Sequence, residues 1–139
     1  MSPAAFYDFD VRIAYADTDR MGVVYYANYL VLFERGRTEY LRSLGLRYRD
    51  LEEERQIYLP ATESHVNYFA PARYDDLIKV RTFITELGKA HIVFSSEIYS
   101  EDGKRIAAGY AKLAVVDRGW KPTRLPADVR GVLEKHVQK

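Results

Sequence analysis

One stretch of this chain repeats its apolar residues at the spacing of a long helix, while the runs around it alternate in twos. Leu30, Phe33, Arg37, Tyr40, Leu41 and Leu44 recur at three- and four-residue steps, with Glu34, Arg35, Glu39 and Arg42 between them. That pattern predicts one face of an α-helix over Asn28 to Leu44. Gly45 follows the last apolar position and suits a left-handed C-terminal cap. Before the helix, Val11, Ile13 and Tyr15 alternate with Arg12, Ala14 and Ala16, which predicts a strand over Phe6 to Ala16. After it come four strand-like runs: Ile57 to Tyr68, Leu77 to Leu87, a third carrying Ile92, Phe94 and Ile98, and Arg105 to Asp117. They are separated by Ala70-Pro71, Gly88 and Glu101-Asp102-Gly103, which are turn chemistry. Short helices are expected over Arg49 to Arg55 and from Ala127 to His136. A strand, a long helix and four strands in meander predict an α+β layer, one helix on a five-stranded antiparallel sheet. Ala107, Gly109 and Ala111 leave one face of the last strand small enough for the helix to approach closely. One helix cannot cover both faces of such a sheet, so another subunit is expected to cover the other face or an edge.

Length and charge narrow the function classes. At 139 residues the chain is read as a single domain over 1–139. Lys+Arg 21 against Asp+Glu 20 gives a net charge of +1, without the basic surplus of a nucleic-acid binder. With no cysteine, disulfides, thiolate metal sites and a Cys nucleophile are excluded. The opening Met1 to Asp8 lacks a basic segment followed by an apolar one, so no signal peptide is expected. The apolar run Val23 to Phe33 is about half of a membrane span. A cytoplasmic protein without membrane insertion is the expectation. His65 shares a strand face with Glu63, but two ligands do not make a metal site. His91 is read as an exposed or interface side chain.

The chemistry concentrates in one segment. Tyr15-Ala16-Asp17-Thr18-Asp19-Arg20-Met21-Gly22-Val23-Val24-Tyr25-Tyr26-Ala27-Asn28-Tyr29 runs into Phe33-Glu34-Arg35-Gly36-Arg37. This is a strand ending in two carboxylates, a glycine turn and a helix start. Unpaired N–H groups at a helix N-terminus stabilise a developing oxyanion. A carboxylate just before them can attack a carbonyl or activate water. On spacing alone, the reading of Asp17 and Asp19 as turn and cap residues is the favoured one, since acidic caps are common.

The run Asp-Thr-Asp-x-x-Gly-Val-Val-Tyr-Tyr-x-Asn-Tyr, followed by Phe-Glu-x-x-Arg, resembles the 4-hydroxybenzoyl-CoA thioesterase group of the hotdog-fold superfamily. It is most similar to the acyl-CoA thioesterases related to the Tol–Pal-associated bacterial enzyme. Tyr68-Phe69-Ala70-Pro71-Ala72-Arg73-Tyr74-Asp75-Asp76 resembles the same subgroup. The resemblance implies a long helix wrapped by an antiparallel sheet, homodimers or homotetramers with sites at the interface, and hydrolysis of acyl-CoA to free acid and CoA. It implies no metal or redox cofactor. It maps the catalytic carboxylate onto Asp19, as nucleophile or general base, and the carbonyl-polarising amide onto Tyr26. Substrate contacts fall on Gly22, Val23 and Val24. Glu34 is a candidate for the acyl pocket, with an Arg-paired surface carboxylate as its alternative. Lys89 stands where relatives place basic residues for the CoA phosphates, or is a solvated lysine. Asp17 reads as a turn residue, and Arg73 as a partner of Asp75 or Asp76. Arg118, Lys121 and Arg124 either meet the nucleotide or solvate a loop. Many members of the nearest subgroup carry His where this chain has Tyr26. The rival reading is a non-catalytic acyl-CoA binding or regulatory protein of the same fold.

Overall fold

In the computed structural model, residues 5–138 are described; residues 1–4, part of the segment where no signal peptide is expected, lie outside them. The order is β1 (Tyr7–Arg12), α1 (Asn28–Ser43), α2 (Tyr48–Glu53), β2 (Ala61–Tyr68), β3 (Leu77–Leu87), β4 (His91–Ser100), β5 (Arg105–Ala114) and α3 (Ala127–Glu134). The strands form one antiparallel five-stranded sheet in the order β1-β3-β4-β5-β2, the hotdog arrangement with α1 across one face.

The strand order corrects the expected meander. Only β3, β4 and β5 follow one another; β1 pairs with β3, and β2 pairs with β5 at the far edge. A helix between β1 and β2 carries the chain across the sheet, so the two strands it joins end on opposite edges. The expected first strand is also too long. It stops at Arg12, because Tyr15–Asp17 turns into a 3₁₀ segment held by Asp17 N–H to Ala14 O at 3.0 Å. Val11 and Ile13 are buried as the alternation predicts, but Tyr15 lies outside and stacks on Tyr74 at 3.9 Å. β2 begins at Ala61 rather than Ile57, and β5 ends at Ala114 rather than Asp117.

The helix is one residue shorter than expected and ends as Gly45 implies. Gly45 takes φ +82°, its N–H bonds Arg42 O at 3.0 Å, and Leu46 N–H bonds Leu41 O at 2.8 Å, a Schellman closure. The buried face is Tyr29, Leu32, Phe33, Gly36, Tyr40 and Leu41; Leu30, expected there, is 40% exposed. Side chains such as Phe33 each contribute about 1.5–3 kcal/mol on burial. Gly36 marks the closest approach of helix to sheet: a Cβ there would lie 2.7 Å from Thr82 Oγ1 and 2.8 Å from Val80 Cγ1. The core divides around it. Tyr29, Leu32 and Phe33 pack with Val11, Ile78, Val80 and Ile98, while Tyr40 and Leu41 pack with Ile84, Ile92, Phe94 and α3 residues Val129 and Leu133. On β5 the small face behaves as read: Ala107 and Ala111 are buried, and Gly109 lies under Phe33.

The opposite face of the sheet carries ion pairs from β1 across to β5. Arg81 grips Asp8 through Nε and Nη2 at 2.8 and 3.0 Å, and Arg105 reaches Glu97 at 3.3 Å. At the other edge, the side chains of β2 are exposed along nearly all its length.

Candidate active site

The site is built where the chain leaves β1 and enters α1. Asp17 is the hinge of this segment. Its Oδ2 accepts the Ala14 N–H at 2.8 Å. Its carbonyl accepts both the Tyr25 N–H and the Asn28 side-chain amide, each at 2.9 Å. The start of the helix is thereby tied to the end of the strand, a turn role as expected for Asp17.

Asp19 sits at the tip of a small hairpin. Asp19 N–H bonds Val23 O and Gly22 N–H bonds Asp19 O, both at 2.9 Å, and Gly22 adopts φ +82°. A three-residue loop ending in a left-handed residue has this arrangement. Nothing lies within 4 Å of a Cβ built on Gly22, so the backbone angle, and not crowding, calls for glycine there. The half-buried Asp19 carboxylate accepts the Met21 N–H through Oδ1 at 2.8 Å. Among the described residues, Oδ2 has no hydrogen-bond partner.

The returning arm of the hairpin is anchored by Val24 N–H to Ala72 O at 2.8 Å, which fixes it against the Ala70-Pro71 turn. Val23, Val24, Tyr26, Tyr29, Tyr68, Phe69, Ala70 and Pro71 line a cavity of about 330 Å³. Tyr29 forms its inner wall, edge-on to Tyr68 at 5.2 Å. Burial pushes the Tyr29 hydroxyl up, and pushes the Tyr68 hydroxyl up with a further contribution from Tyr26. Both remain protonated donors at neutral pH. At the rim, the hydrogen bond shared with Tyr26 raises the Tyr25 hydroxyl, and the nearby Asp19 charge adds a smaller push.

The helix opens with Asn28 N–H on Tyr25 O at 2.8 Å, Tyr29 N–H on Tyr26 O at 3.4 Å and Leu30 N–H on Ala27 O at 3.2 Å. Among the described residues, no acceptor engages the N–H of Tyr26 or Ala27. One short segment thus carries a carboxylate, two amide donors without an acceptor among the described residues, and one wall of a cavity that residues 68–71 complete. Such a set can bind an acyl group, hold a developing oxyanion and deliver a nucleophile.

Other candidates lie elsewhere. Glu34 is exposed and borders a different cavity with Arg37, Tyr48 and Glu52; the fixed helix phase turns it away from the Tyr26 cavity. Lys89 is exposed in the β3–β4 turn, at the end of β3 opposite the hairpin. His91, beside it, pairs with Glu86 at 2.5 Å. Asp76 Oδ2 takes the backbone N–H of Arg73 at 2.8 Å, so the expected Arg73 partnership runs through the main chain. Glu63 and His65 share the outer face, where Glu63 accepts the Tyr110 hydroxyl and His65 stacks on that ring. Among the described residues, no three His, Asp or Glu side chains converge as a metal site would need, and no helix is long and apolar enough to cross a membrane. Sequence reasoning assigned no role to Tyr68, Tyr29 or Phe69, although Tyr68 and Phe69 open the second motif.

Residues 21–107 match the Thioesterase superfamily. The acyl-CoA thioesterase YbgC of Haemophilus influenzae is 38% identical over 125 residues, covering 89% of this chain and 91% of that protein. The acyl-CoA thioester hydrolase YbgC of Escherichia coli O6:H1 is 35% identical, covering 86% and 89%. Among solved structures, the DHNA-CoA thioesterase of Staphylococcus aureus superposes with a TM-score of 0.89 at 31% identity, over 94% of this chain and 89% of that one. With the fold, the family match and this level of identity in agreement, the chain belongs to the thioesterase superfamily, among enzymes of the hotdog fold.

Proposed function

We propose that this protein hydrolyses acyl-CoA thioesters to free acid and CoA, with Asp19 as the catalytic carboxylate and the Tyr26 amide polarising the thioester carbonyl. The carrying observation is that Val23 and Val24, the returning arm of the Asp19 hairpin, and Tyr26, whose N–H has no acceptor among the described residues, line one cavity. The acyl group lies along Val23, Val24, Tyr29 and Tyr68, with its carbonyl oxygen toward the helix start. As general base, Asp19 takes a proton from water as the water oxygen attacks the carbonyl carbon. The tetrahedral oxyanion collapses, the C–S bond breaks, and the CoA thiolate recovers a proton. As nucleophile, Asp19 attacks directly, CoA departs, and water hydrolyses the acyl anhydride. Either route needs the carboxylate ionised and the oxyanion donor in place. Losing one such donor typically costs about 10²–10³ in kcat.

Asp19 and Tyr26 belong to the catalytic step, and Gly22, Val23 and Val24 to substrate binding. Glu34 and Lys89 lie outside this cavity, so a substrate role for either belongs with a second copy. The proposed assembly is a homo-oligomer, a dimer or the homotetramer of the Tol–Pal-associated subgroup, working in the cytoplasm as one domain.

The test is release of free CoA thiol from a panel of short-chain, long-chain and aromatic acyl-CoAs. A chain without cysteine adds no thiol background. Asp19→Asn is expected to lower kcat by about 10²–10⁴-fold, the range of a lost general base. Wild-type turnover that survives in folded Asp19→Asn removes Asp19 from the mechanism. Binding of acyl-CoA without turnover by the wild type moves the assignment to a non-catalytic acyl-CoA binding protein.

A further inference from the structure

The carbonyl of Tyr26 has an unusual second partner. Its bond from Tyr29 N–H, within the opening turn of the helix, is long at 3.4 Å. The Tyr68 hydroxyl, which comes from the far edge strand β2, donates to the same oxygen at 2.9 Å. That oxygen belongs to the planar peptide group whose other end is the N–H of Ala27, so fixing one end fixes the direction of the other. Ala27 N–H is one of the two donors left without an acceptor at the helix start. A hydrogen bond accepted at an amide oxygen also polarises the group and strengthens its N–H as a donor. The Tyr68 ring is itself held in place by the edge-on contact with Tyr29, whose neighbour across the cavity is the Ala70-Pro71 turn.

We infer that Tyr68 is a positioning residue for catalysis: its hydroxyl aims and strengthens the Tyr26–Ala27 peptide group, making Ala27 N–H a second donor to the substrate carbonyl beside Tyr26 N–H. This rests on the hydrolytic reading of the site and adds to it a residue on another element. β2 thereby communicates with the reacting carbonyl through one main-chain group.

The test is Tyr68→Phe, which removes the hydroxyl and keeps the ring against Tyr29. With the preferred acyl-CoA, kcat is expected to fall about three- to tenfold, the size of one neutral hydrogen bond, with KM nearly unchanged. The decisive readout is spectroscopic. The probe is a butyryl-CoA ketone analogue in which a methylene replaces sulphur, labelled with carbon-13 at the carbonyl; it is not hydrolysed. On binding wild-type protein, its carbonyl stretch is expected to move to lower frequency by difference infrared spectroscopy, and by less in Tyr68→Phe. A merely structural Tyr68 would leave that shift unchanged in protein that still binds, and an equal shift in both proteins overturns the inference. A wild-type protein that binds the analogue with no shift overturns it as well, because the carbonyl then meets no donor. The role of Asp19 fails separately, through turnover in Asp19→Asn, and the infrared comparison does not depend on it.

Discussion

Asp19 spends only one of its two oxygens on the fold. Oδ1 closes the turn onto Met21 N–H, a local bond that any short acidic or amide side chain can make, and Oδ2, without a partner among the described residues, is the oxygen the proposed hydrolysis uses. Asparagine keeps an oxygen for the Met21 N–H and loses charge and basicity, which is why Asp19→Asn separates chemistry from folding. Two acids spaced i and i+2 look alike in sequence. Their partners distinguish them: Asp17 spends its carboxylate on Ala14 and its carbonyl on Tyr25 and Asn28. A third carboxylate offers a test by pH. Arg55 grips Asp128 with two bonds, at 2.8 and 3.1 Å, and this hydrogen bonding holds Asp128 at about 2, below the usual carboxylate value of about 3.9. The folded pKa lies below the unfolded one, so the pair's contribution is complete above the unfolded value and is lost as pH falls through the folded one. Asp128→Asn is expected to lower Tm slightly near neutral pH, since both side chains are well exposed. The gap between the melting curves should then close between about pH 4 and about pH 2. A gap that stays constant down to pH 2 would assign the effect to packing and not to charge.

At the scale of elements, Gly36 decides how close α1 lies to the sheet. Alanine is the better helix former by about 1 kcal/mol, yet Gly36→Ala puts a methyl 2.7 Å from the buried Thr82 hydroxyl oxygen and 2.8 Å from Val80. Neither neighbour is the free end of a flexible chain. Overpacking of this kind costs about 1–3 kcal/mol, so urea denaturation should show a lower midpoint at unchanged slope. A raised midpoint would mean that the helix lifts freely, and that the two halves of the core are not locked at this contact. The sequence carried much of this architecture: helix period, cap glycine and strand turns were all legible. It carried the phase of α1 less well, because Leu30 fits the same three-and-four spacing as Leu32 and Gly36, and only the neighbouring strands choose among them. Tyr15 continued a perfect alternation, but Asp17 bonding back to Ala14 ended the strand beneath it. The position of β2 was invisible, since the runs alone do not say which edge a strand joins once a helix has crossed the sheet. The candidate site showed the same division. Local turn chemistry displayed Asp17, Asp19 and the helix start, whereas Tyr68 and Tyr29 became site residues only when β2 came to lie beside α1.

For the whole molecule, the exposed large apolar side chains are unevenly spread. Tyr15, Met21, Tyr25, Tyr26, Leu30, Val31, Tyr68, Phe69 and Tyr74 are all at least 40% exposed and lie on the 3₁₀ segment, the hairpin, the opening of α1, or the end of β2 and the turn after it; Trp120, at 67%, lies apart in the loop after β5. Single exposed apolar residues need no explanation, but a cluster around one cavity marks a surface that another molecule covers. An edge strand with its side chains exposed lies next to it, open to pairing. The proposed role of Lys89 bears on the same surface. It stands beyond the far end of β3, about 35 Å of strand from the hairpin at the usual rise per residue. At that distance the proposed CoA contact of Lys89 requires the cavity of a second copy. Light scattering on the eluting protein is therefore expected to give a whole multiple of 16.1 kDa greater than one. Activity per chain should fall on dilution as that species dissociates, because the apolar surface around each cavity is then uncovered. Within the intact oligomer, Lys89→Ala should raise KM for acyl-CoA and leave kcat alone, the pattern of a group that holds the cofactor end of the substrate in ground and transition state alike. A fully active species of one chain's mass would overturn this, and would require the 330 Å³ cavity to hold and turn over its substrate without a partner.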